Sequence, residues 1–362
     1  MRKSYISVFI IALFALSAES AEISASLTSG DEATWATSSI WEVDGTSAGR
    51  LPSSGDNVII TTSDDGSGNY ATITAVAGNN SWGIDGSLTL NGPTYLKFTS
   101  SNQSDWGNIT LNSGSALEVN TNNWANFRLL NSSGQTVDFV VEKGASFSLT
   151  GANFLPNGSH NNATNSIANV DIKGNFSVNS ACVLLAEGTD SVTNFNVYGS
   201  ATVSSYTKPD SSDGGFTFGN GYVCTSNMSF KMQDVRLNAI LGQSAETIAL
   251  VDTNSIAFRG SVDANFIIDF ANFSIDGGSF VEGQTYSFAL ISASSGLDES
   301  IFDKFAITNE DGLGGEWALA DDYLSISDNT LYLNLSRVPE PSTYAAIFAL
   351  IALAFALKKR WA

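Results

Sequence analysis

Val170-Asp171-Ile172-Lys173-Gly174-Asn175-Phe176-Ser177-Val178 sets Val170, Ile172, Phe176 and Val178 at two and four residues on either side of Gly174. Apolar residues at every second position line one face of an extended chain, so each arm reads as a strand and the glycine as the turn between them. A glycine there permits a positive-φ corner or close packing against a neighbouring segment. Phe195, Val197, Ala201 and Val203 repeat the pattern about Gly199, and Trp82, Ile84, Leu88 and Leu90 repeat it about Gly86. About Gly114 (Ile109, Leu111, Leu117, Val119) and Gly144 (Phe139, Val141, Phe147, Leu149) the spacing widens to three and five, and the alternation holds.

The five glycines are 28, 30, 30 and 25 residues apart. Between them lies a weaker third apolar cluster, such as Trp124, Phe127 and Leu129, or Phe154 and Leu155, or Val183, Leu184 and Leu185. Two linked strands plus a third in roughly 25–30 residues fit one coil of an all-β parallel β-helix, or β-solenoid. The five glycines are expected to stack on one edge of that coil. A β-sandwich of hairpins is the rival reading, but it does not demand a constant period.

Outward from these repeats, 81–205, the pattern changes at both ends. Trp35 and Trp41 precede Gly49-Arg50-Leu51-Pro52-Ser53-Ser54-Gly55-Asp56-Asn57-Val58-Ile59-Ile60, a turn running into a strand. Residues 21–80 therefore read as an entry cap, in which aromatic rings cover the open first rung. The repeat blurs over 206–336, where less regular strands continue. Leu297–Phe305 is the one expected helix there, with Leu297, Ile301 and Phe305 on one face. Leu331–Leu335 is the expected last strand, in a distal cap. No linker divides 21–336, so it reads as one body.

Both termini carry targeting signals. Arg2-Lys3, the apolar Ile6–Leu16 and the small residues Ser17, Ala18, Ser20 and Ala21 make a secretory signal peptide, 1–20. At the other end, 337–362 contains Val338-Pro339-Glu340-Pro341-Ser342, then an apolar run from Tyr344 to Leu357, then Lys358-Lys359-Arg360. The run is apolar on every face, which suits a bilayer rather than a protein surface. As a transmembrane helix of about 14 residues it spans ~21 Å against ~30 Å of hydrocarbon, a marginal anchor helped by snorkelling of its basic end.

This tail resembles the PEP-CTERM sorting signal of exported bacterial proteins: Pro339-Glu340-Pro341 matches the naming motif, and the apolar helix and basic terminus follow in order. The resemblance covers less than a tenth of the chain. It implies recognition by a membrane-embedded exosortase, passage through the inner membrane on Tyr344 to Leu357, and removal of the tail. It also implies delivery to the surface or extracellular matrix of a Gram-negative, exopolysaccharide-making cell. The Trp-led, repeating body is similar to the β-solenoids of bacterial surface and autotransporter-passenger proteins. Together these imply a structural or adhesive role, with exopolysaccharide or other surface proteins as partners.

The formal net charge is −20. Five of the 16 basic residues (Arg2, Lys3, Lys358, Lys359, Arg360) but only two of the 36 acids (Glu19, Glu340) lie in 1–20 and 338–362, so removal of those segments takes the balance to −23. Such a field argues against nucleic acid and anionic lipid as partners. The rest of the polar surface is mainly Ser, Thr, Asn and Gly. Cys182 and Cys224 are the two cysteines. Export permits a disulfide between them, and two small buried hydrophobes is the equal alternative.

Little in the sequence points to catalysis. Gly45-Thr46-Ser47-Ala48-Gly49 spells G-x-S-x-G, but a nucleophile elbow needs a buried strand before it and a helix after it. His160, the one histidine, lies in an Asn/Ser/Gly loop and leaves no partner for a triad or a zinc site. Acidic pairs occur at Asp31-Glu32, Asp64-Asp65, Asp210 with Asp213, Glu310-Asp311 and Asp321-Asp322. A polysaccharide-active β-helix enzyme, a lyase or glycosidase, is the alternative function. It would need such carboxylates beside a base, with Arg128, Arg236 and Arg259 the interior candidates. No cofactor or metal site is expected, apart from a weak surface calcium contact at Ser63–Asn69 that lacks the EF-hand pattern.

Overall fold

The computed structural model describes residues 21–77, 82–101, 103–130, 133–158, 164–185, 188–206, 215–219, 223–236, 248–339 and 347–353. These are mostly β. Among them 26 strands join one mixed sheet that does not close into a barrel, and Val235–Arg236 with Ile275–Asp276 form a small second sheet.

Three parallel ladders make up most of the large sheet. The first joins Glu22–Thr28, Asn57–Ser63, the later parts of Trp82–Asn91 and Ser104–Leu111, then Thr136–Val141, Ile167–Ile172, Val192–Tyr198, Cys224–Lys231, Val262–Asp269 and Phe305–Thr308. The second joins Glu32–Thr34, Ala71–Ala77, Thr94–Ser100, the first parts of Ala116–Leu130 and Ser146–Gly158, then Asn175–Asn179, Thr202–Tyr206, Val251–Thr253 and the end of Thr285–Ala293. The third joins the first parts of Trp82–Asn91 and Ser104–Leu111 to the later parts of Ala116–Leu130 and Ser146–Gly158, then Val183–Leu185, Phe216–Phe218 and Ile256–Phe258. Within these ladders each segment thus pairs, in parallel, with one a full repeat later in the sequence.

The repeat is less even than the sequence spacing suggests. Leu88 lies opposite Ile109, 21 residues on, while Phe266 lies opposite Phe305, 39 residues on. Only the paired strands are constrained to match, so length varies in the segments between them.

The glycine column needs one correction. Gly114 N–H donates to Gly144 O at 3.1 Å, and the pairing of Ile172 with Val197 carries Gly174 opposite Gly199. Gly86 does not join this edge. A Cβ on Gly86 would meet Asp56 O at 2.2 Å, and one on Gly107 would meet Gly86 O at 2.0 Å, so Gly86 lies on a second corner with Gly55 and Gly107. The place expected for Gly86 is held by Gly92, which has φ +66° and sits 3.4 Å from a Cβ built on Gly114. Both corners put alternating strands on either side of a glycine, so the flanking pattern alone does not separate them.

Inward-facing residues form one continuous apolar core from Ile23 to Leu335. A file of aromatic rings runs through it. Phe98 meets Trp106 at 5.4 Å, Trp106 meets Phe127 at 5.6 Å, Phe127 meets Phe147 at 5.4 Å, Phe147 meets Phe176 at 5.3 Å and Phe176 meets Phe195 at 5.6 Å. Contacts of this kind add about 0.5–1.5 kcal/mol each beyond area burial. At the first rung Trp41 is fully buried against Trp35, ring centroids 4.8 Å apart, and its Nε1–H donates to Trp35 O at 3.0 Å. Among the described residues, the two tryptophans pack into the core beside the first strands of the first two ladders.

At the far end the strand direction reverses. Thr330–Arg337 pairs antiparallel with both Thr285–Ala293 and Trp317–Ser327, and is the last described strand. One local expectation changes, and of the two alternatives left open for the cysteines the buried one is seen. Leu297–Phe305 is not an α-helix: Glu299–Lys304 is a 3-10 turn capped by Asp298, and Phe305 opens a strand paired with Phe266. Recruitment of Phe305 into the first ladder outweighs the one-faced apolar spacing. Cys182 and Cys224 are both buried thiols, not a disulfide. Cys182 lies beside Leu155 and Leu184, with Sγ 3.2 Å from Asn153 Oδ1.

Val338 and Pro339 follow the last strand outside any ladder. Glu340, Pro341, Ser342, Lys358, Lys359 and Arg360 lie outside the described residues, as does the signal segment 1–20. Of the run from Tyr344 to Leu357, residues 347–353 are helical and exposed, Phe348 by 69% and Leu350 by 65%. Among the described residues no helix is long and apolar enough to cross a membrane.

Candidate functional site

Outward positions on the first ladder alternate with the core residues, and register stacks them in columns. One column reads Asn57, Ser87, Asn108, Asp138, Asn169, Asn194, Asn227 and Asn265. Hydrogen bonds from its side chains link most of its neighbours. Ser87 Oγ donates to Asn57 Oδ1 at 2.9 Å, and Asn108 Oδ1 accepts from the Asp138 N–H at 2.8 Å. Asn169 Nδ2 then donates to Asp138 Oδ1 at 2.9 Å, Asn194 to Asn169 at 2.9 Å, Asn227 to Asn194 at 2.9 Å and Asn265 to Asn227 at 3.2 Å.

A primary amide has two N–H donors and two carbonyl lone pairs. Asn194 commits one of each to its column neighbours. One donor and one acceptor remain for a partner on the outside, and the same holds at Asn169 and Asn227. Strand spacing repeats this pair every ~4.8 Å. Parallel strands of matched register are what carry the asparagines into line, because Asn169, Asn194, Asn227 and Asn265 are far apart in sequence.

Four residues further along the same strands, beyond the Asp171–Asn196–Ser229 column, runs a charged one. Lys173 Nζ lies 2.8 Å from Glu142 Oε1 and 5.4 Å from the Tyr198 ring centre, and Lys231 Nζ lies 2.8 Å from Asp269 Oδ2. Hydrogen bonding to Lys231, Asn309 and the Ala271 N–H holds the Asp269 carboxyl below the usual range against the opposing effect of burial. These partly exposed pairs fix side-chain positions more than they stabilise.

The second ladder presents smaller groups. Glu118, Ser148, Ser177, Ser204, Asp252 and Ser292 are in register, flanked by Ser146 and Asn175 on one side and Thr150 and Asn179 on the other. Its middle is uncharged and built of short hydroxyl and amide side chains. Near its ends, the Tyr95 hydroxyl bonds Glu118 and the Tyr206 hydroxyl bonds Asp252. Burial and the Asp252 carboxylate push the Tyr206 hydroxyl up to about 12, so it stays a neutral donor.

Among the described residues, those considered for catalysis are not brought together. Ser47 is exposed in a two-residue strand of the hairpin Glu42–Val43 with Thr46–Ser47, with no helix after it. His160, Asp210 and Asp213 lie outside the described residues. Asp64 and Asp65 accept from the Gly66 and Ser67 N–H groups, each at 2.8 Å, as turn residues do. Among the described residues no group of three His, Cys, Asp or Glu is placed to hold a metal ion.

Of the interior arginines, Arg236 donates to Thr202 Oγ1 at 2.9 Å and to Ala201 O at 2.7 Å, as a brace between rungs. Arg128 is buried and donates from Nε to Asp105 Oδ1 at 2.7 Å. Nearby Asp85 is raised above the usual carboxylate range by burial and by the Asp105 charge.

A hollow of about 670 Å³ lies at the distal end, between the glycine-rich loops Gly277-Gly278 and Gly312–Gly315, with Phe280, Trp317 and Arg337 in its wall. Arg337 stacks 5.3 Å over Trp317 and pairs with Glu316, which fastens the last strand where the tail begins.

The sequence reading missed the asparagine column. A signal was present, since Asn169 and Asn194 each stand five residues before a corner glycine. Comparison with protein-family models, with curated proteins and with solved structures finds no match to this chain.

Proposed function

We propose that the chain is an exported structural and adhesive protein, a three-sided β-solenoid whose polar faces contact neutral glycans of the extracellular matrix. The observation that carries this reading is the Asn169–Asn194–Asn227–Asn265 column. It offers a regular row of donor and acceptor pairs on a stiff surface, a geometry suited to the repeated hydroxyls of a polysaccharide. Groups already fixed by their neighbours lose little freedom on binding. The strongly acidic balance disfavours anionic partners and leaves uncharged sugars or other surface proteins.

The route to that location rests on the terminal segments. The signal peptide starts export. The tail from Pro339 onward holds the chain in the inner membrane of a Gram-negative cell until an exosortase removes it. The exposed apolar helix at 347–353 supports this, because a helix apolar on all sides has no stable place on a soluble acidic surface.

The test is a glycan array and a matrix pull-down with the exported protein. Binding to neutral polysaccharide, lost in an Asn194→Asp and Asn227→Asp double variant that still folds, is the expected result. Equal binding by the variant would remove the column from the account. Hydrolysis or eliminative cleavage of a polysaccharide by the wild type, abolished by a single aspartate substitution, would replace adhesion with catalysis.

A further inference from the structure

Asp56 is 2% exposed and gathers donors from three places. Arg50 Nη1 donates to Oδ2 at 2.6 Å and Nη2 to Oδ1 at 2.9 Å. Ser53 donates to Oδ2 through its backbone N–H at 2.7 Å and its hydroxyl at 2.8 Å. The last donor is the backbone nitrogen of Ala21, 3.3 Å from Oδ1. Ala21 O in turn accepts from the Asn57 N–H at 2.9 Å, which sets the register of the first ladder, Glu22 opposite Asn57.

The sequence gives Ala21 a second significance. Leader peptidases require small residues one and three positions before the cut. Within Leu16-Ser17-Ala18-Glu19-Ser20-Ala21, a cut after Ser20 has Ser20 and Ala18 at those positions. A cut after Ala18 would put Leu16 at the third position, and a cut after Ala21 would put Glu19 there.

We infer that Asp56 is a receptor for the new N-terminus: hydrolysis of the Ser20–Ala21 bond turns the nitrogen already aimed at Asp56 into an ammonium, and the resulting ion pair locks the first rung. This rests on the export reading above. Water is the co-reactant. The peptide bond breaks, Ser20 keeps the new carboxylate, and Ala21 nitrogen takes up a proton. One amide donor becomes three charged ones beside a carboxylate shielded from solvent, where a charge-assisted bond is about twice as strong as a neutral one. Arg50 neutralises Asp56 from the solvent side, with 43% of its side chain exposed, so the carboxylate is held ionised before the cut and shared after it. Trp41 and Trp35 already cover the same end of the core. The lock therefore completes a cap that guards the first strand edge, and couples removal of the leader to consolidation of the fold.

The experiment uses the full chain expressed in a Gram-negative host and the exported product recovered from it. Mass spectrometry of the N-terminal peptide is expected to find Ala21 first. Acylation with a reagent selective for α-amines near neutral pH is expected to modify Ala21 about tenfold more slowly in the wild type than in Asp56→Asn, the effect of roughly one unit of pKa on the amine. Should Asp56→Asn fail to fold, Arg50→Gln serves instead: it leaves Ala21 as the carboxylate's one charged partner, beside the neutral Ser53 donors, and is expected to slow acylation further. A chain cut at Ser20–Ala21 whose amine reacts equally fast in wild type and variant, or faster in Arg50→Gln, overturns the lock and leaves export standing. A chain that begins elsewhere overturns the lock by itself, and a chain never cut overturns export as well.

Discussion

Asn194 donates from Nδ2 to Asn169 Oδ1 at 2.9 Å, across a gap of 25 residues in sequence and one rung in space. The bond exists because both residues stand one position before an inward-facing aromatic or aliphatic partner, Phe195 and Val170, that are themselves in register. Core packing thus sets the spacing of the outer surface.

Asn194→Asp should cost about 1 kcal/mol, the net worth of a typical hydrogen bond. The new carboxylate can still accept from Asn227, but it meets Asn169 Oδ1 as acceptor against acceptor. Urea unfolding should show a lower midpoint at unchanged slope, the mark of a change in stability rather than in the surface exposed.

Gly174→Ala should be far more damaging than Gly55→Ala. A Cβ on Gly174 would lie 2.4 Å from Ala145 O and 2.5 Å from Glu142 O, both backbone atoms of the adjoining rung, whereas one on Gly55 meets nothing within 4 Å. Forcing the rungs apart should cost about 1–3 kcal/mol, while the Gly55 change should be neutral or stabilise by a few tenths. Thermal unfolding of the two variants side by side tests this.

Phe147→Ala should cost about 3–5 kcal/mol, as expected for loss of a buried ring and the cavity left behind. Phe147 touches Phe127, Phe139, Phe154 and Phe176 in the middle of the aromatic file, so no neighbour is free to collapse into the space. Loss of near-ultraviolet dichroism together with the lowered midpoint would locate the damage in the core.

Much of this architecture was legible in the sequence, because alternation about Gly114, Gly144, Gly174 and Gly199 reports both strands and their shared corner. Gly86 misled because a second corner, with Gly55 and Gly107, has the same local grammar. Gly92 was hidden because Pro93 follows it and breaks the symmetric flanks. Phe305 looked helical from Leu297 and Ile301, but one-faced spacing carries no information about a strand waiting at Phe266. That Trp35 and Trp41 belong to the core was readable from two tryptophans ahead of the turn and strand at Gly49–Ile60; that they follow a first strand, Glu22–Thr28, was not. The asparagine column was not, because stacking depends on register, and register follows from repeats whose lengths differ.

Acid should weaken the first rung. Hydrogen bonds from Arg50, then Ser53 and Ala21, hold the Asp56 carboxyl far below its usual range. A carboxylate whose folded value is depressed stabilises the fold above its unfolded value, near ~3.9, and that contribution is lost as pH falls towards the folded one. Wild type should therefore lose its advantage over Asp56→Asn progressively below pH ~4, and the two should differ most near neutrality. Denaturant midpoints measured across that range check the sign.

The proposed coil, on whose register the asparagine column depends, is tested most directly by a distance along that column. Spin labels at Ser87→Cys and Asn265→Cys, in a chain with Cys182 and Cys224 replaced by alanine, sit six rungs apart in register. Pulsed electron paramagnetic resonance should give a separation centred near ~29 Å, six strand spacings of ~4.8 Å. A second pair, Asn108→Cys with Asn265→Cys, should shorten it to about 24 Å. Separations that do not fall by one strand spacing for each rung removed would contradict the stacked coil, and with it the surface on which the proposed function depends.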